Sequence, residues 1–197
     1  AIGNFNCRQP AVIIVAHQYT DEQRRLLLQI ARQSIQNSLS RDAAATLPIV
    51  TDPELQLLRG AFVTLLFEGR QLRGCIGIIE AVAPLVETIA HAATSAALQD
   101  PRFPPVSPAE LPELTIEISV LSPLQPIDPD DVVVGTHGLV VEQYGRRGLL
   151  LPQVPGEWGW DRVQFLEHTC MKAGLPPNAW REGAQLFSFT AEVFTEE

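Results

Sequence analysis

The sequence is short of lysine: a single one, Lys172, stands against thirteen arginines. Schiff-base chemistry would rest on that one amine. Arginine is the better residue for bidentate holding of a carboxylate or phosphate, so a local anion site remains open. Cysteine is scarce as well. Cys7, Cys75 and Cys170 are odd in number, far apart, and without CxxC or zinc-type Cys/His spacing. That excludes a disulfide framework and a structural zinc site, and it fits a reducing cytosol. The apolar run AVIIVA (residues 11–16) is too short to cross a bilayer. No nucleotide-binding glycine loop appears and no metal-ligand pattern, so no cofactor is expected. Positive charge is outweighed: the net charge is −9. An acidic chain is a poor partner for nucleic acid or an anionic membrane.

What is present is ordinary for a soluble globular protein: 46% hydrophobic and 19% charged residues over 197 positions. That length allows one large domain or two small ones and buries enough surface to fold without staples. Residues 1–18, which begin with alanine rather than methionine, are expected to be a leader, altered or tagged, outside the domain.

The segment TDEQRRLLLQIARQSIQNSL reads as an amphipathic helix. Leu26, Leu27, Ile30, Ala31, Ile35 and Leu39 recur at helical spacing, and Thr20 or Asp21 caps its start. A polar, proline-punctuated loop follows. AFVTLLF, a turn at EGRQ and LRGCIGIIE form a β-hairpin. PLVETIAHAATSAALQD is a second helix, with Pro84 in its first turn and an alanine-rich buried stripe. LTIEISVLSPL alternates as a half-buried strand. HGLVVEQYGRRGLLLPQV is strand, turn and strand. DRVQFLEHTCMKAG is a third helix stopped by Gly174, and AQLFSFTAEVF is one closing strand. Strands joined by tight turns and interleaved with helices predict an α+β fold with a mainly antiparallel or mixed sheet.

Chemistry concentrates around LRGCIG (residues 72–77). On a regular strand Arg73, Cys75 and Gly77 share one face and Leu72, Gly74 and Ile76 the other. Arg73 would then lie roughly 7 Å along the strand from Cys75, where a guanidinium favours the thiolate. Gly74 and Gly77 mark a bulge or a close backbone approach, which would admit a ligand or a second chain segment. Packing alone also explains Cys75, since free cysteine is among the most buried residue types. A nucleophilic cysteine wants a base. His91, with Glu87 four residues before and Ser95 four after, is the candidate, against a plain solvated helix face. His137 reads as a turn residue and His168 as amphipathic surface. Asp100 and Arg102 in DPRF pair either as a helix-exit clasp or as part of a ligand site.

LRGCIG, AATSAALQDPRFPP, LTIEISVLSPLQPI, HGLVVEQYGRRGLLLPQV and GWDRVQFLEHTCMKAGLP together resemble the AMMECR domain family, whose prokaryotic members are called AmmeMemoRadiSam system protein A. The resemblance covers residues 19–195. It implies a single domain of α+β fold, with a larger and a smaller subdomain, the smaller in about 125–185, and the hexapeptide near a cleft between them. It also implies the company of a radical-SAM enzyme and a Memo-like protein. It carries no established activity. Two readings follow. In the first, a cytoplasmic protein binds a ligand or partner in a cleft lined by the LRGCIG strand. In the second, Cys75 is a nucleophile or covalent carrier, with Arg73 and Arg102 holding a small anionic substrate and His91 as base.

Overall fold

The computed structural model describes residues 19–40, 47–68 and 70–196. The expected leader and the first part of the loop after the first helix lie outside these residues. The first helix, α1 (Asp21–Leu39), starts where the capping signal places it. The Thr20 hydroxyl accepts the Gln23 N–H while the Gln23 side chain accepts the Thr20 N–H, a reciprocal capping box. The hairpin is β1 (Ala61–Phe67) and β2 (Gln71–Ile78), followed by α2 (Leu85–Leu98) and β3 (Leu114–Leu121). Pro84 is the cap of α2 rather than a member of its first turn. Then come β4 (Gln125–Pro126), β5 (Gly138–Gln143), β6 (Arg146–Leu150), α3 (Val154–Trp158), α4 (Arg162–Lys172), β7 (Gln185–Phe189) and β8 (Ala191–Thr195).

Two four-stranded antiparallel sheets result, ordered β2-β1-β3-β8 and β4-β7-β5-β6. One face of the first sheet carries Ala61, Val63, Leu65, Ile116, Ile118 and Phe194 and is covered by α1 and α2. The second sheet packs Leu139, Val141 and Leu186 against Phe165, Leu166 and Cys170 of α4. Between the sheets lies a third, smaller cluster in which Phe62, Leu121 and Ala191 of the first meet Val140, Phe187 and Phe189 of the second. The order is therefore helix pair, sheet, sheet, helix.

AQLFSFTAEVF is not one strand. It breaks at Thr190, and β7 and β8 belong to different sheets. Alternation tells which face a side chain takes, not which sheet the strand joins. The chain leaves the first sheet at residues 122–124 and returns at Thr190, and the two crossings are tied together. Ser122 N–H donates to the Thr190 carbonyl at 2.9 Å, and Thr190 N–H donates to Ser122 Oγ at 2.9 Å.

Candidate functional site

Thr64 of β1 stands opposite Cys75 of β2, and Val63 and Leu65 stand opposite Ile76 and Gly74. Side chains alternate, so Gly74 and Ile76 face α2 while Cys75 lies on the helix-free face. The next residue across the sheet from Thr64 is Glu117, and beyond it Thr195. The helix-free face thus bears a row of Cys75, Thr64, Glu117 and Thr195. The Thr64 hydroxyl donates to Cys75 Sγ at 3.3 Å, and the Thr195 hydroxyl donates to Glu117 Oε2 at 3.3 Å. Cys75 is half-buried.

The strand does not alternate through Arg73. Leu65 pairs with Gly74 and Leu66 with Leu72, so Arg73 is the extra residue of a β-bulge. Its guanidinium engages Glu110, Nε to Oε1 at 3.1 Å, and lies 6.0 Å from the centre of the Phe103 ring. The arginine at Cys75 is instead Arg102, which donates to the Cys75 carbonyl from Nη2 at 3.2 Å. The Cys75 side chain is close enough to contribute, after Asp100, to keeping Arg102 protonated. Arg73 thus sits at the bulge and is tied to Glu110, while Arg102 is the arginine that hydrogen-bonds Cys75.

Asp100 is the centre of this arrangement. Its carboxylate is buried, with 2% of the side chain exposed. It accepts the Cys75 N–H at 2.8 Å, Arg102 Nη2 at 2.7 Å, Arg102 Nε at 3.0 Å and the Arg102 N–H at 3.1 Å. The Arg102 guanidinium, ahead of the backbone donors, holds the carboxyl far below its ordinary range despite burial. β2 is an edge strand. Cys75 and Thr64 are a pair without mutual backbone bonds, so the backbone groups of Cys75 point away from the sheet. Asp100 takes the N–H and Arg102 supplies the carbonyl's donor, so the two side chains stand in for a neighbouring strand. Of the two readings of DPRF, the helix-exit clasp is what the bonds form, and it closes the sheet edge as well.

The glycines line no open space. A Cβ at Gly74 would sit 2.3 Å from the Ala96 carbonyl oxygen, so α2 is the segment that approaches there. A Cβ at Gly77 would sit 2.2 Å from the Phe62 ring. His91 is exposed on α2, on the far side of the sheet from Cys75, and the structure does not bring the two together. His137 accepts the Val133 N–H at Nδ1, and His168 stacks on Trp160 with ring centres 3.8 Å apart; both belong to the second sheet's half of the chain. Sequence reasoning missed Thr64 and Glu117. Thr64 is the one polar residue of β1 and Glu117 the one charged residue of β3, but only strand pairing shows that Thr64 faces Cys75 and Glu117 faces Thr64.

A groove of about 810 Å³ lies elsewhere, between α1 and the ends of β3 and β8. Among the described residues no group of histidine, cysteine and carboxylate side chains is placed to hold a metal ion. No helix among them is long and apolar enough to cross a membrane.

The fold has a solved counterpart, and the sequence has relatives. An uncharacterized protein of Pyrococcus horikoshii, known by crystal structure, superposes with a TM-score of 0.79 at 44% identity, covering 90% of this chain and 93% of that one. A protein of Thermococcus gammatolerans is 47% identical over 188 residues, 90% of this chain and 92% of its own. One of Methanothermobacter thermautotrophicus is 45% identical over 184 residues, 89% and 95% respectively. The family model AMMECR1 matches residues 28–194. With that span and these relatives, the chain belongs to the AMMECR1 family.

Proposed function

We propose that this is a cytosolic binding protein that recognises a ligand or partner on the helix-free face of its first sheet, through the row of Cys75, Thr64 and Glu117. The observation that carries this is the division of labour at Cys75. Its backbone groups are consumed by Asp100 and Arg102, while its side chain stays half-buried on a face that no helix covers. Recognition there uses side chains, since the strand edge is closed at that residue. The resemblance supplies the partners to try, a radical-SAM enzyme and a Memo-like protein, and co-purification with either is the direct assay.

One observation favours a second reading, in which Cys75 attacks or carries a small anionic substrate. Arg102 lies beside it with 54% of its side chain exposed, free to meet an anion while its inner nitrogens hold Asp100. Arg73 is tied to Glu110 and largely buried, its Nη1 without a hydrogen-bond partner among the described residues.

Native protein alkylated with neutral iodoacetamide and with anionic iodoacetate tests both readings. Cys170, fully buried, is the internal comparator. We expect Cys75 to react in the folded protein at least ten times faster than Cys170. We further expect Arg102→Gln to lower the iodoacetate-to-iodoacetamide rate ratio several-fold, because a nearby positive charge attracts the anionic reagent. If Cys75 reacts only on unfolding, both readings fail. If it reacts but the ratio does not move, the anionic-substrate reading fails alone.

A further inference from the structure

The first sheet has two edges, and they are treated differently. At the β2 edge, Asp100 and Arg102 close the backbone of Cys75. The other edge is β8. Ser122 N–H bonds the Thr190 carbonyl and Glu196 N–H bonds the Ile116 carbonyl, which fixes the alternation along the β3–β8 ladder. Glu192 and Phe194 therefore bond to β3, while the N–H and C=O groups of Ala191, Val193 and Thr195 point outward. Those outward backbone groups have no partner among the described residues. Val193 is 49% exposed.

At the Thr195 end of this edge opens the 810 Å³ groove, walled by α1, with Leu28, Leu114 and Phe194 in its lining. Its arginines are not equivalent. Arg24 is held by Glu192 and Arg32 by Glu196. Arg25 is exposed and has no ion pair among the described residues. An open row of backbone donors and acceptors beside a groove with apolar side chains in its lining fits one shape of occupant, an extended chain whose alternate side chains point into the groove.

We propose that the β8 edge accepts an extended segment of a partner protein as a fifth strand, with apolar side chains over Leu28 and Phe194 and a carboxylate facing Arg25. The backbone of Ala191, Val193 and Thr195 supplies the pairing, and Arg25 supplies charge selection. This surface is at the opposite end of the sheet from Cys75 and does not depend on the reading of that site.

The experiment is residue-resolved amide exchange on ¹⁵N-labelled full-length protein, with and without the probe peptide acetyl-TVTETVTV-amide, whose valines and glutamate share one face. In the free protein the Ala191, Val193 and Thr195 amides exchange fast and those of Glu192 and Phe194 slowly. The probe slows the first three at least tenfold. Arg25→Glu weakens probe binding at least fivefold. Val193→Pro abolishes it while leaving the β3 ladder intact, because the Val193 N–H points outward. Three results would overturn the proposal. One is no slowing with the probe. Another is equal binding by a probe N-methylated at every residue, which has no backbone donor left. The third is protection already present without the probe; if it grows with protein concentration, a second copy is the occupant instead.

Discussion

Replacing Gly74 by valine will lower the unfolding temperature by roughly 10 °C, the largest effect we expect of any single change in the hexapeptide. The obstacle is backbone. The first added carbon already falls 2.3 Å from the Ala96 carbonyl oxygen and 3.2 Å from its carbonyl carbon. A flexible side chain could swing away, but here α2 itself must lift from the sheet. Overpacking of a well-filled core costs about 1–3 kcal/mol, and an obstacle that cannot rotate puts valine at the top of that range. Gly156→Ala is the control, since a Cβ there meets nothing within 4 Å. It is expected to change stability by less than about 0.5 kcal/mol. Denaturant unfolding of both variants decides the matter. A Gly74→Val protein as stable as wild type would mean that the close approach of α2 is not what requires glycine.

Asp100→Asn carries the second large effect. All four of the hydrogen bonds that Asp100 accepts come from N–H groups, two on each oxygen. An asparagine keeps one oxygen and turns an NH₂ group toward donors. Charge-assisted bonds are worth about 1.5–3 kcal/mol each, and an unmet buried donor costs about as much. A net loss of about 2–3 kcal/mol is expected, with faster exchange of the Cys75 amide. The pH dependence follows from the direction of the shift. The folded carboxyl is depressed, first by the Arg102 guanidinium. Its contribution is therefore complete above the unfolded value of about 3.9 and drains away as pH falls below it. Wild-type stability should fall more steeply than that of the asparagine variant below about pH 4. Parallel acid limbs, or a loss under 0.5 kcal/mol, would show that the clasp is incidental to the edge it covers.

Much of the local structure was legible because local signals agreed. Thr20 and Asp21 announced the start of α1, and the alternation of Leu114, Ile116, Ile118 and Val120 announced β3. The small alanines of α2 anticipated a close neighbour, and Gly74 anticipated where it would come. What stayed hidden depends on register and on distant partners. The bulge makes Arg73 the extra residue of its strand, and its guanidinium meets Glu110, 37 residues away. Thr64 and Arg102 meet Cys75 across gaps of 11 and 27 residues. Nothing periodic in the sequence marks such a meeting. The five-residue α3 was missed for a local reason: Pro155 and Gly156 stand inside it and both discourage a helix.

The doubled crossing at Ser122 and Thr190 governs the order in which the protein can be made. Everything between those residues is one uninterrupted excursion, containing the whole of the second sheet. The first sheet, begun at β1, stays incomplete until β8 has been made. That segment brings Phe194 to the core, Glu192 to Arg24 and Glu196 to Arg32. The inserted segment thus forms a unit that can close during translation before the unit flanking it is complete. A chain cut short before Ala191 would hold a finished second sheet attached to a first that lacks its edge strand.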